Sequence, residues 1–535
     1  MKKIILAIVC MLPVLASAQY TFDALQYSNT ELRGSSRFMS MGGAFSALGG
    51  DLSTLNQNPG GLGVYRSSDI GITFGLDFIS SKPEGVSATS QTKFLVNNVG
   101  YIGSLKLNSD GLRYFNWGFS YSRTNTFNRR YMGGLNNTPT SMTNFMADLA
   151  TGEGVSAENL YMSNEYDQRP FNNTRYAYNV LGYNCGVILP TGDKHYSGLG
   201  INGATGYAEY EVDEWGETDE YNISLGGNIK DVLFWGMGVG ISSMDYRYYN
   251  YYGEEMLNTE VLDNPGNVAT IVEGNATYGL VNNSRTSGNG YNFKLGVILK
   301  PVNSLRIGFA FHTPTFYNMK DIWDANMSSE FYGDNIEKGS YTKKFSSPVN
   351  EYRYRIRTPW RFMGGIAAVI GGKGIISADY EYVNNQSIKI CDDAGRIEPG
   401  SEDEMKTYLK PTHIIRLGAE YRIDKSWSVR AGFQRQTSQV QKDVENNNVF
   451  VVTSGYNPSY KFDKSTNYIT CGVGYHFKNF YLDLAYVHKT RSSEYHAFSP
   501  IEYTDGGGNL AWDEGIYTGV KDNHNRLSCT FGFRF

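Results

Sequence analysis

Leu527-Ser528-Cys529-Thr530-Phe531-Gly532-Phe533-Arg534-Phe535 is the stretch that decides the fold. Leu527, Cys529, Phe531, Phe533 and Phe535 alternate with Ser528, Thr530, Gly532 and Arg534. Side chains on a strand point to opposite faces with period two, so one face is apolar and aromatic and the other small or polar. A water-soluble sheet can produce such a strand once. An outer-membrane barrel must produce it on every strand, because lipid-facing and lumen-facing positions alternate all round the wall.

The same period recurs beyond residue 68. Ile70, Ile72, Phe74, Leu76 and Phe78 mark a first strand. Val99, Tyr101, Leu105 and Leu107 mark a second, and Phe115, Trp117, Phe119 and Tyr121 a third after the tight turn at 108–111. Later pairs turn at Lys230-Asp231, through Pro301, at Gly371-Gly372-Lys373-Gly374, at Asp424-Lys425 and at Lys478-Asn479. Short turns alternate with long connections, the pattern of periplasmic turns and extracellular loops. The expected fold is all-β: a 14-stranded antiparallel transmembrane β-barrel over residues 68–535. The longest excursion, 124–205, reads as a large extracellular loop with a short helix near 141–149. Tyr183, Cys185, Val187 and Leu189 also alternate, and if 177–212 supplied a wall pair the count would be 16.

The two ends agree with export. Lys2 and Lys3 precede an apolar run over 4–15, and Ala16-Ser17-Ala18 offers a small-residue cleavage site before Gln19. This predicts a secretory signal peptide over 1–18. The run is too short to span a membrane, and no other segment holds 18 consecutive apolar residues. Aromatic residues make up 14% of the chain, 41 of them Tyr, which suits girdles at both membrane surfaces. The net charge of −5 gives no reason to expect nucleic acid. Cys185, Cys391, Cys471 and Cys529 have no CxxC spacing, so no zinc site or disulfide scaffold is expected.

Residues 19–67 do not read as a hairpin. They are rich in Gly, Ala and Ser, with Phe38, Met39, Met41, Phe45 and Leu48 interspersed. The lumen of a 14-stranded barrel is wider than its wall side chains fill, so this segment is expected to fold inward as a plug. Gly42, Gly43, Phe45, Asn58, Pro59 and Leu62 are its candidate motif residues.

Two stretches carry a family resemblance: Ser36-Arg37-Phe38-Met39-Ser40-Met41-Gly42-Gly43-Ala44-Phe45-Ser46-Ala47, and Asn58-Pro59-Gly60-Gly61-Leu62-Gly63 with Asp51 between them. They resemble the N-terminal hatch of the FadL/TodX family, with Gly60 where that family usually has Ala. The resemblance implies a channel for long-chain fatty acids or aromatic hydrocarbons, a hatch that blocks the pore, ligand bound at the hatch, and lateral exit through the wall. An apolar solute gains by moving from water to lipid, so such passage requires no energy source.

The candidate ligand residues are polar. On a regular strand over 351–370, Tyr352, Tyr354, Ile356, Trp360 and Phe362 face outward. Arg353, Arg355, Arg357 and Arg361 then line the lumen. Guanidinium groups there suit a carboxylate headgroup, or pair with wall acids such as Asp379 and Glu381. His312 is expected on the lumen face as well. No HxxxH, HExxH, GxSxG, P-loop or dinucleotide fingerprint occurs, so neither a catalytic role nor a metal or cofactor is expected.

The expected partners are membrane lipids with lipopolysaccharide, a hydrophobic small-molecule substrate, and the barrel-assembly machinery acting on the C-terminal strand at Phe531, Phe533 and Phe535. The expected function is passive outer-membrane transport of hydrophobic or amphipathic molecules. The alternative is a barrel serving as subunit or scaffold of a larger outer-membrane complex, since fold alone does not fix function.

Overall fold

A computed structural model describes residues 18–535, apart from 137, 139, 165–166, 173–175, 200–204, 264–269, 450, 452, 454–456, 505–509 and 514. The expected signal peptide lies outside the described residues except for Ala18.

Fourteen wall strands close into an antiparallel barrel. The first three are β1 (Asp69–Pro83), β2 (Thr89–Lys106) and β3 (Leu112–Thr126). Above β3 the chain continues as β4 (Arg129–Asn136), which pairs with β7. β5 (Ile188–Gly192) and β6 (His195–Gly198) form a hairpin of their own. The wall resumes with β7 (Thr205–Ile229), β8 (Leu233–Leu262) and β9 (Ile271–Val302).

The seventh wall strand is broken into β10 (Leu305–His312) and β11 (Phe316–Tyr332), both paired with β9. β12 (Ser340–Ser346) folds back on β11. The eighth is broken into β13 (Asn350–Arg357) and β14 (Arg361–Ile370). Then come β15 (Gly374–Val383), the short β16 (Lys389–Asp392) against β13, β17 (Thr412–Arg422), β18 (Trp427–Gln436), β19 (Tyr460–Phe477) and β20 (Phe480–His496). A hairpin of β21 (Ile501–Thr504) and β22 (Leu510–Asp513) precedes β23 (Tyr517–Arg534), which pairs with β1 and closes the wall.

The wall inverts a soluble protein. On β19, Ile469 is 62% exposed and faces outward, while its neighbour Thr470 is 3% exposed and faces the lumen. Trp117, Ile223, Leu295, Leu417 and Phe531 are likewise exposed, and Asn116, Asn222, Ser224 and Thr530 are buried inside. No described helix is long and apolar enough to cross a membrane. The strands satisfy their backbone groups in a closed ladder and present the apolar face outward, the construction of a barrel that spans a lipid bilayer.

The hatch runs the length of the lumen. Helix α1 (Ala18–Tyr27) packs in the extracellular mouth, where Phe22 stacks on Tyr408 and Tyr460. The chain then descends through α2 (Ser36–Ser40) and α3 (Thr54–Gln57) to a 3-10 helix over Pro59–Val64. Ser35 caps α2 by accepting from the Phe38 N–H, and Asn58 caps the 3-10 helix by accepting from the Gly60 N–H. Pro59 starts that helix, where a missing N–H costs nothing. β1 begins immediately below, at the periplasmic rim.

The excursion after β4 covers the mouth. Helices α4 (Met142–Gly152), α5 (Ala157–Leu160) and α6 (Ala177–Asn184) share one apolar core with α1 and the upper wall, including Phe145, Tyr178, Tyr252 and Phe498. Ser141 caps α4, and the Glu254 carboxylate of β8 accepts from the Met142 N–H at 2.9 Å. The alternating run through Tyr183, Cys185 and Val187 is therefore helix and loop rather than wall. The local run of alternation is overridden by burial of Tyr178, Val180 and Leu181 beneath the cap. Helix α7 (Ser401–Tyr408) and the short α8 (Lys442–Glu445) finish the extracellular rim.

A candidate ligand path at the hatch

The hatch meets the wall backbone to backbone. A Cβ at Gly432 of β18 would collide with the Gly42 amide nitrogen, and one at Gly308 of β10 with the Ser46 carbonyl. Gly42 itself has φ +61, a conformation only glycine adopts freely. Gly60 abuts β9, where an added methyl would lie 2.8 Å from the Val297 nitrogen. That contact is the physical reason this chain has Gly there. Asn58 ties the two hatch motifs together, its Nδ2 donating to the Ser46 carbonyl at 2.5 Å. Phe45 and Leu62 are fully buried, and the Arg37 guanidinium lies 5.3 Å over the Phe45 ring.

One seam of the wall is incomplete. β2 and β3 pair from Lys106↔Tyr114 up to Asn98↔Ser122, and there the ladder stops although both strands continue. The hatch takes the place of β2. The Thr124 carbonyl of β3 accepts from the Glu31 N–H at 2.8 Å. Arg33 straddles the seam: Nη1 donates to Asn97 of β2 at 2.9 Å, and Nη2 to Asp77 of β1 at 2.8 Å and Thr126 of β3 at 2.7 Å. On the outer side Phe94 of β2 is 67% exposed and stacks on Phe74.

Buried ions hold this latch. Asp77 is shared by Arg33 and Arg526, the latter at 2.7 Å and 3.0 Å, and Arg526 also donates to the Leu32 carbonyl at 2.9 Å. Lys489 of β20 pairs with Glu31. Burial alone would push the Glu31 carboxyl up. The cations Lys489, Arg33 and Arg526 outweigh burial and hold it well below the usual carboxylate range.

Behind the seam lies a cavity of about 120 Å³ between hatch and wall. Its apolar side includes Tyr27, Leu32, Phe38, Tyr317 and Met363. Its polar side carries Lys294 paired with Glu220, and Glu381 held by Arg361 and Arg416, each at 2.5 Å. Gln57 Oε1, Thr218 Oγ1, Asn292 Oδ1 and Arg416 Nη1 are buried in its lining with no hydrogen-bond partner among the described residues. Buried polar groups in native proteins are normally satisfied, so these four atoms are left to bond water or another polar group in the cavity, beside its apolar side.

The expected ligand residues separate here. Of the four arginines only Arg361 faces the lumen, where it binds Glu381 and donates to Thr30 of the hatch at 2.9 Å. Arg353, Arg355 and Arg357 lie on the outer face instead, while Tyr354 and Ile356 are buried inside. The break at Thr358-Pro359-Trp360 is the reason. Pro359 cannot donate to the ladder, and the irregular residues around it invert the alternation between β13 and β14. His312 is buried on the lumen side, its Nε2 2.9 Å from the Gln57 carbonyl. It braces the hatch from the rim of the cavity.

Sequence reasoning overlooked Glu31, Arg33 and Asp77. A usable signal was present: Asp77, Lys489 and Arg526 are charges at lumen positions of membrane-level strands, where an unpaired ion is costly.

No protein-family model matches this chain, and no curated protein does. Among solved structures, a Pseudomonas aeruginosa FadL homologue is 13% identical, with 95% of this chain and 98% of that chain covered and a TM-score of 0.47. The P. putida toluene transporter TodX is 13% identical over 94% and 99%, with a TM-score of 0.45. The Ralstonia pickettii toluene transporter TbuX gives the same identity, coverage and score. With TM-scores below 0.5, these likenesses carry no argument about function.

Proposed function

We propose that this barrel conducts hydrophobic or amphipathic small molecules, such as long-chain fatty acids, across the outer membrane and releases them sideways into lipid. The observation that carries this is the seam between β2 and β3, unladdered above Asn98↔Ser122 and bridged from inside by Glu31 and Arg33 of the hatch, with β4 packed above them. A cavity with an apolar wall and cationic groups lies directly behind it. The acyl chain would lie against Leu32, Phe38 and Met363, with its headgroup near Arg361 and Arg416. Passage into lipid is downhill for an apolar solute.

The test is to fill the seam. In Ser122→Trp, acyl uptake by cells carrying this protein as their source of the activity should fall to the level of a deletion strain, with the folded barrel present in normal amount. Uptake equal to wild type would defeat the proposal.

A second reading is favoured by the cap over the mouth. Helices α4 and α6 bury an apolar core across the extracellular opening, which suits a subunit of a larger surface assembly. Native mass spectrometry after mild extraction separates the two. A lone barrel with a releasable acyl ligand supports transport, and a stoichiometric protein partner without ligand supports the assembly role.

A further inference from the structure

Above the membrane, the outer face of β13 carries a cationic patch that the transport reading does not use. Trp360 marks the top of the apolar belt, exposed and stacked on Phe311 at 5.3 Å. One strand over, Phe316 stacks on the exposed Tyr291 at 5.4 Å. Arg357 sits directly opposite Phe316 in the ladder, so its guanidinium leaves the wall at headgroup height. Arg355 follows on the same face, opposite Asn318.

The register puts like charges across from each other. Arg357 faces Lys389 of β16, and Arg353 faces Lys320 of β11. Directly opposed like charges destabilise a sheet unless an anion lies between them. For Lys320 and Arg353 the anion is present, since both bind Glu351 at 2.7 Å and 2.9 Å. Lys389 leans away to Glu402 at 3.1 Å. Arg355 and Arg357 have no carboxylate within salt-bridge distance among the described residues, and Arg355 lies against Gly395, whose added Cβ would be 3.1 Å from Nη1.

We infer that Arg355 and Arg357, with Lys389 beside them, form a binding site for the phosphate group of an outer-leaflet glycolipid. Guanidinium pairs phosphate bidentately, and a basic cluster at the membrane surface is the ordinary chemistry of lipid-headgroup recognition. The aromatic pairs just below would contact the first methylenes of the same lipid, which a free phosphate in solution cannot use. The site is on the outside of the wall, so it stands or falls separately from transport.

The experiment is native mass spectrometry of the full-length barrel in mild detergent with phosphorylated lipid A, the same lipid after phosphatase treatment, and inorganic phosphate. Wild type and Arg353→Gln should hold one phosphorylated lipid A, and Arg355→Gln/Arg357→Gln should hold it about tenfold more weakly. Equal binding of the phosphatase-treated lipid would overturn the site, as would an undiminished adduct in the double variant. Displacement of the lipid by millimolar inorganic phosphate would overturn its assignment to a lipid. Heat-modifiable gel migration checks folding, and Arg357→Gln alone serves if the double variant does not fold.

Discussion

At the scale of single residues, Arg33 does the most with the least exposure. It joins three wall strands and the hatch, and both it and Asp77 are fully buried. Removing one partner of a buried ion pair costs roughly 3–5 kcal/mol, because the remaining charge is stranded. Arg33→Ala should therefore lower the temperature at which the barrel loses its compact gel mobility, and raise leakage of small dyes in liposomes. Unchanged leakage would mean the hatch does not depend on this latch. Gly432→Ala tests the hatch from the wall side. Its methyl meets the Gly42 backbone, which has no rotamer to yield, so overpacking should cost about 1–3 kcal/mol. The same gel shift reads it. Arg353, Arg355 and Arg357 show where residue-level inference from sequence ended. Their spacing was visible, but the inversion at Pro359 depends on how β11 and β13 leave the wall above the belt. Period-two counting assumes that such a strand does not break.

At the scale of elements, α1 and the Glu31 latch should respond to pH in opposite senses. Burial, reinforced by the Asp321 charge and opposed by Lys461, pushes the Asp23 carboxyl up to about 7. Burial pushes Glu404 of α7 up to about 7 as well, against the hydrogen bond it accepts from Thr21 at 2.8 Å. Raised carboxyls favour the docked helix in their neutral form. Their contribution is complete below the ordinary carboxylate range and is lost as pH rises through about 7. Glu31 is depressed, so its contribution is present above the ordinary range and is lost as pH falls toward its lower native value. Hydrogen exchange from pH 5 to 8.5 should show protection of residues 18–27 falling with rising pH, while the 31–33 segment holds. Protection of α1 that rises with pH would contradict this. The wall elements were legible because each carries its own alternation. The hatch was legible only as a plug, since its shape is dictated by wall glycines hundreds of residues away. The mouth helices were largely hidden: 183–187 alternates like a wall strand, yet it is the end of α6 and a loop under tertiary burial.

For the whole molecule, the wall and its filling impose different rules on the same strand. Ile223 faces lipid and is 56% exposed, while Asn222 beside it is buried against the lumen network. Ile223→Arg should destabilise the barrel by about 2–4 kcal/mol in a bilayer. Asn222→Asp should leave membrane insertion intact and disturb only the Lys294 pairing. Urea titrations in lipid vesicles would distinguish them, and equal effects would argue against the assigned facing.

The hatch also constrains how the molecule comes to exist. It extends from the extracellular mouth at α1 to the periplasmic rim, and β1, which follows it directly, lies beside β23 along fifteen paired positions from Asp69↔Arg534 to Pro83↔Val520. A segment that threads the lumen end to end, pressed on wall glycines at several levels, would have to slide past close backbone contacts to enter a ring already shut. The hatch is therefore expected to settle against the open sheet before the first and last strands meet. In that order of events the β1–β23 ladder is the last seam of the wall to zip.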